Sequence, residues 1–246
     1  MPLSIPSPSR DISLTPFPLT ESQFSPFGTV ITNPSPSLLP SSKLTPSSLP
    51  QNAVLANQGS ALKYQDVTHM RDLYSQAPSR KASTAVMNMF VCAPRKLEGE
   101  GVFKVEILER HPYTTQTFIP LGLSPFEAHE AQYLVIVAPS LPPSNKDEGF
   151  SVPEGRGSPG RGLPDLENVR AFIARGDTAV TYAAGTWHAP MVVLGRTKVD
   201  FVVVQFANGV GEEDCQEVVF GGEKREGRIE VRVRVRVDGE RMGLKL

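Results

Sequence analysis

The chain has only four histidines, His69, His111, His129 and His188. Two of them stand beside groups that can work with them. One lies in the run Glu109-Arg110-His111-Pro112-Tyr113-Thr114-Thr115-Gln116, the other in Gly185-Thr186-Trp187-His188. Imidazole moves protons near neutral pH and ligates transition metals. Alternate side chains of an extended chain point the same way, so Glu109 and His111 share a direction. A turn at Pro112 can return Gln116 to the same interior. Gly185 permits a tight turn that projects His188 at the start of the next strand. Two imidazoles, a carboxylate and an amide would then line one polar pocket. Such a set can carry out acid–base chemistry. It can also hold a divalent transition metal through His111, His188, Glu109 and Gln116. The residues alone leave both open. His69 and His129 lie in no motif with partners and are expected to be ordinary core or surface residues.

The elements that must position these groups read as short strands. Apolar, β-branched or aromatic runs bounded by Gly and Pro occur at 84–92, 102–110, 117–121, 133–138, 178–183, 191–194, 198–206 and 216–220, the pattern of a sandwich or barrel. A short helix is expected after Thr20, with Thr20 as cap, Gln23 completing a capping box and Leu19 packing on Phe24. A second helix is expected from Asp165 to Gly176, because Leu166, Val169, Phe172 and Ile173 would share one face. The fold class is therefore mainly β, with a few short helices. Residues 1–16 read as a flexible N-terminus and 17–222 as a single domain. Two Ser-, Pro- and Gly-rich stretches, about 33–50 and 139–162, are expected to be exposed or disordered loops inside it. Residues 223–246 form an extension in which Arg or Glu alternates with Ile or Val, as in a half-buried strand.

Composition narrows the function. The 246 residues are 39% hydrophobic and 21% charged, with 25 basic against 26 acidic side chains, so the chain has a core and no global pull toward nucleic acid or anionic membrane. The Arg face of the extension lacks interleaved aromatics for base stacking and is expected to be a solvated edge. No run is long and apolar enough to span a bilayer. The two cysteines, Cys92 and Cys215, form no CxxC pair, so a zinc ribbon or disulfide framework is not expected. With no apolar leader, a cytoplasmic location is expected. The ending Leu244-Lys245-Leu246 only partly matches a peroxisomal address. Glu212, Glu213 and Asp214 read as a solvated turn, Tyr113 as packing, and Trp187 as either packing or pocket wall.

The spacing Glu109-x-His111-x4-Gln116 resembles the first cupin motif with its first His and its Glu replaced. Gly185-x-x-His188 resembles the second, with Ala183 in place of Pro. The longer strings ERHPYTTQTFIPLG, YLVIVAP, PDLENVRAFIARG, VTYAAGTWHAPM and DFVVVQFANGVGEEDCQEV, together with NQGSALKY upstream, closely resemble the ureidoglycolate lyase family of allantoin catabolism. The resemblance covers about 17–220, the two low-complexity loops aside. It implies a cupin-like β-barrel, often a homodimer, that takes ureidoglycolate to glyoxylate and urea. On that basis His111 and His188 are the expected catalytic groups, directly or through a metal. Gln116 is expected to hold the ureido or hydroxyl group, and Lys63 or Arg110 the substrate carboxylate. Two rivals remain at this stage. One is an amidohydrolase that releases ammonia. The other is a non-catalytic cupin that binds a small molecule, which would be expected to carry apolar residues at 111 and 188.

Overall fold

The structure, a computed structural model, describes residues 2–99, 101–155, 160–220 and 227–233. Its strands are β1 (Leu3–Ile5), β2 (Ile12–Leu14), β3 (Phe17–Pro18), β4 (Gly28–Ile31), β5 (Ala53–Ala56), β6 (Ala61–Tyr64), β7 (Thr84–Cys92), β8 (Val102–Val105), β9 (Ile107–Arg110), β10 (Gln116–Leu121), β11 (Gln132–Ala138), β12 (Arg170–Arg175), β13 (Ala179–Tyr182), β14 (Trp187–His188), β15 (Val192–Leu194), β16 (Val199–Ala207), β17 (Gln216–Phe220) and β18 (Ile229–Arg232). Three short helices accompany them, α1 (Glu21–Phe24), α2 (Pro125–Glu130) and α3 (Gly211–Asp214). The architecture is mainly β and consistent with a cupin-like fold. Among the described residues no helix is long and apolar enough to cross a membrane.

One sheet dominates. It runs β1-β17-β9-β14-β11-β12-β3, with β15 also paired to β11. Its central strand β11, Gln-Tyr-Leu-Val-Ile-Val-Ala, is apolar without alternation because both of its faces are covered. Tyr133, Val135 and Val137 pack with Phe118, Val180, Phe201 and Val203 of the five-stranded sheet β4-β13-β10-β16-β7. Leu134, Ile136 and Ala138 pack on the other side with Phe103, Val105, Ile229 and Val231 of the three-stranded sheet β2-β18-β8. The large sheet is thus a shared middle layer between two cores.

The same double coverage overturns the expected helix at 165–176. Asp165 does cap a turn, but it is a single 3-10 turn, Leu166–Asn168. The chain then enters β12, antiparallel to β11 with Phe172 opposite Val135. Ala171 faces one core and Phe172 the other. A strand buried on both faces places apolar residues at positions that also fit a helical stripe. The helix after Thr20 forms, with Phe24 fully buried, but the Thr20 side chain makes no capping bond.

The expected flexible N-terminus carries strands. Within 1–16, β1 runs parallel to β17 and β2 parallel to β18; β3, just beyond, runs parallel to β12. Within 139–162, the described residues include a capped turn, Asn145–Asp147, and a bridge from Ser140 to Pro164; residues 156–159 lie outside the described residues. The C-terminal alternation holds over β18, where Ile229 and Val231 are buried and Arg232 is exposed; residues 234–246 lie outside the described residues.

Gly28 shows how tightly the five-stranded sheet is closed. It pairs with Tyr182 of β13, has φ of +154°, and a Cβ there would sit 1.8 Å from the Thr181 carbonyl oxygen. Gly28→Ala is expected to push β4 off β13 and to cost about 2–4 kcal/mol, read as a lower urea midpoint at unchanged slope.

Candidate functional site

β9 and β14 are neighbours in the large sheet, with Glu109 directly opposite His188. Residues so paired project on the same face, here toward the five-stranded sheet. Tyr182 of that sheet stacks on the His188 ring, centroids 4.0 Å apart and planes 13° from parallel. His111 follows β9 and brings its ring centroid to 5.6 Å from that of His188. Glu109 Oε1 lies 3.6 Å from His188 Nε2. His111 is 8% exposed and His188 1%.

Backbone carbonyls fix the tautomers. His111 Nδ1 is 2.6 Å from the Asp214 carbonyl oxygen, and His188 Nδ1 is 2.8 Å from that of Thr186. A carbonyl only accepts, so each Nδ1 carries the proton and each Nε2 keeps a lone pair. Both Nε2 atoms are buried without a hydrogen-bond partner among the described residues. Burial, with His111 close by, pulls the His188 pKa down to about 3, and burial lowers His111 as well. Both rings are therefore neutral near pH 7. Glu109 moves the other way. Burial, and then Glu217 directly across on β17, push its carboxyl up to about 7, with the Cys215 thiol acting weakly against them. The Cys215 thiol is itself pushed up to about 12, by burial and then by Glu109.

One donor atom from each of Glu109, His111 and His188 lies within 4.8 Å of the other two. Two neutral imidazoles with free Nε2 lone pairs, each oriented by a carbonyl behind it, and one carboxylate make a donor set that fits a divalent transition metal. Gln116 lies in the facing five-stranded sheet. It is 4% exposed on β10, and its Nε2 donates to Gln205 Oε1 at 2.7 Å.

Arg110 faces the opposite side of the sheet. Strand alternation sends it where Leu108 goes, into the second core. It is fully buried, and its guanidinium carbon lies 4.4 Å from the centre of the Trp187 ring. Its nitrogens donate to Gln216 Oε1 and to the carbonyls of Gly160, Arg161 and Gly162. These bonds turn it away from the imidazoles and make it the anchor of the 160–162 loop. Trp187 resolves as packing; its Nε1 donates to the Gly162 carbonyl at 3.0 Å. Lys63 is exposed on the β5–β6 hairpin, which among the described residues pairs with no other sheet. His69 and His129 are exposed. Tyr113 is fully buried against Tyr74, as packing predicts.

The sequence reading missed four contributors. Tyr182, Gln205, Glu217 and Asp214 lie inside the strings that carry the family resemblance, but no local spacing singles them out, and only strand register brings the first three to the site. The acidic turn is only partly solvated, with Glu212 exposed but its two neighbours bonded inward. Glu213 is 4% exposed and accepts from Ser79 and Asn208. The Asp214 carboxylate accepts from Tyr74 Oη at 2.6 Å and from the amides of Asn208 and Gly209. A surface cleft of about 870 Å³, lined by Arg95, Lys96, Arg175, Arg196 and Arg232, contains none of Glu109, His111, Gln116 or His188.

Comparison with known proteins points the same way. The profile of a family described as ureidoglycolate lyase matches residues 11–225. A ureidoglycolate lyase of Schizosaccharomyces pombe is 34% identical over 201 residues, 80% of this chain and 86% of its own length. One from Saccharomyces cerevisiae is 34% identical over 176 residues, 66% of this chain and 75% of its own. One from Burkholderia mallei is 29% identical over 187 residues, 76% of this chain and 78% of its own.

Two stability effects follow from this geometry. In metal-free protein the raised Glu109 pKa means the folded state holds a proton that the unfolded state releases between about pH 4.5 and 7. Stability is therefore lost as pH rises through that window. Glu109→Gln is expected to stabilise by up to about 3 kcal/mol at pH 8 and by almost nothing at pH 4, measured by urea unfolding at both. Arg110→Met is expected to destabilise by about 3–5 kcal/mol, because it strands the carbonyls of the 160–162 loop; equal midpoints for variant and wild type would refute the anchor.

Proposed function

The chain belongs to the ureidoglycolate lyase family, and from that premise we propose that it eliminates urea from ureidoglycolate to leave glyoxylate, a step of purine nitrogen catabolism. The observation that carries the chemistry is one partly buried carboxyl poised at about 7 beside two neutral imidazoles. In the substrate, hydroxyl and ureido nitrogen sit on the same carbon. Elimination moves one proton from that oxygen to that nitrogen. The O–H bond breaks, its electron pair becomes the new C=O bond, and the C–N pair leaves on nitrogen, where the proton joins it.

A single carboxylate can serve both ends of that transfer. Glu109 takes the hydroxyl proton on one oxygen and returns it to nitrogen, ending as the carboxylate it began as. A pKa matched to ambient pH suits a group that must both accept and release. His111 and His188, held by the carbonyls of Asp214 and Thr186, keep their Nε2 lone pairs toward the reacting atoms. His111, His188 and Glu109 would hold a divalent transition metal, and such an ion would polarise a bound substrate oxygen and neutralise charge there.

We also read the chain as a homodimer. Register places Met89, Val202 and Ile119 side by side across β7, β16 and β10. Met87, Met89, Val91, Ile119 and Leu121 are all exposed on that outer face. An apolar face of this kind, ending at the edge strand β7, supports a twofold contact with a second copy.

Purified protein with ureidoglycolate should release glyoxylate and urea in equal amounts above an enzyme-free control; ammonia in place of urea would make it an amidohydrolase. kcat/KM should fall as pH drops through about 7 without a bound ion, since the carboxylate is the working form. With an ion the limb should move lower, because a cation favours the charged carboxylate. Glu109→Gln should lose about 10²- to 10⁴-fold in rate and abolish the limb.

A further inference from the structure

Gln116 ends in a group that the fold leaves unanswered. Its side chain is 4% exposed, and its Nε2 donates to Gln205 Oε1 at 2.7 Å. Its Oε1 is buried with no hydrogen-bond partner among the described residues. An amide oxygen buried without a donor carries a desolvation penalty, which a ligand bringing a donor removes.

The register puts this oxygen in the right company. Thr117 pairs with Val204 across β10 and β16, so Gln116 and Gln205 are neighbours on the inward face. Gln116 also pairs with Tyr182 on β13, and the Tyr182 ring lies flat on His188. The amide pair, the tyrosine ring and the imidazole therefore form one continuous wall between the two sheets.

We propose that Gln205 is a positioning residue. Its oxygen accepts from Gln116 Nε2 and so turns Gln116 Oε1 into the site, where it accepts an N–H of the ureido end of the substrate. This inference rests on the ureidoglycolate reading and deepens it. A neutral acceptor suits a ureido group, which carries three N–H donors. It does not suit the other end of the molecule, whose carboxylate is an acceptor only. The amide pair thus sets the direction of binding, with the ureido group toward β10 and β16 and the hydroxyl-bearing carbon toward Glu109.

The half of the substrate involved can be isolated with the two products as separate inhibitors. Gln205→Leu removes the acceptor and frees the Gln116 amide to rotate. It should raise KM for ureidoglycolate and the inhibition constant for urea about tenfold, the value of one hydrogen bond, while the glyoxylate inhibition constant and kcat change less than about twofold on the same scale. Gln205→Glu supplies oxygens that only accept once the carboxyl is ionised, so its constants are read at alkaline pH. It locks Gln116 in the same orientation and should keep the urea constant within about twofold of wild type. Loss in Gln205→Glu equal to that in Gln205→Leu would overturn the assigned direction of the Gln116–Gln205 bond. An unchanged urea constant in Gln205→Leu would overturn the role of Gln205 altogether. Should Gln205→Leu not fold, Gln205→Glu decides by itself, retention supporting the proposal and loss refuting it. Urea binding to wild type and Gln205→Glu, followed by ligand-observed NMR, needs no turnover. It separates failure of this inference from failure of the wild-type protein to cleave ureidoglycolate.

Discussion

The pairing of β9 with β14 is the constraint from which the rest of the site follows. It sets Glu109 opposite His188 and, because strand side chains alternate, sets Arg110 and Trp187 together on the reverse face. A slip of one residue would exchange the two faces. The guanidinium would then meet the imidazoles, and the carboxyl would enter an apolar core. The register is secured from behind, where Arg110 joins Gln216 of β17 to the carbonyls of the 160–162 loop. The functional face is accurate because the other face is fully bonded.

Burial then sets the charge states. The same desolvation that raises the Glu109 carboxyl depresses both imidazoles, since it penalises whichever form carries charge. What remains near pH 7 is a carboxyl close to its midpoint between two neutral rings. Orientation comes from the backbone. The Asp214 carbonyl that holds His111 belongs to a turn whose own carboxylate is bonded to Tyr74, Asn208 and Gly209. That turn is rigid for reasons unrelated to the imidazole, so the ring inherits a fixed tautomer and direction.

How much of this could be read in advance depends on whether the cause is local. The strands at 84–92 and 216–220 are bounded as their sequence suggests, because apolar runs and breakers act over a few residues. The segment at 165–176 misleads because burial on both faces erases the period-two signal. The N-terminal strands β1 to β3 are two or three residues long and owe their form to the strands they join. At the site, Glu109 and His111 were legible from alternation, whereas Arg110 was expected to hold the substrate carboxylate and instead lies on the other face, bonded to Gln216 and the 160–162 carbonyls. Gln205 and Glu217 were not legible. Each stands in an ordinary strand and reaches the site only through pairings 89 residues from Gln116 and 108 from Glu109.

The remaining question is how a site that contains a carboxyl accepts an anionic substrate. Bringing the carboxylate of ureidoglycolate near Glu109 raises its pKa further, since like charges disfavour each other's ionised form. That would remove the base the reaction needs. Arg110 cannot offset this, because its donors are committed to carbonyls on the far side of the sheet. On the proposed direction of binding, the Gln116 acceptor would draw the neutral ureido end instead. N–H donors would then lie toward the amide pair, and the substrate hydroxyl, a donor at the other end, toward the imidazole lone pairs. A divalent cation held by those lone pairs would supply the one charge that the chain itself does not bring to this face. On this reading the metal-binding geometry and the proton chemistry answer a single electrostatic requirement.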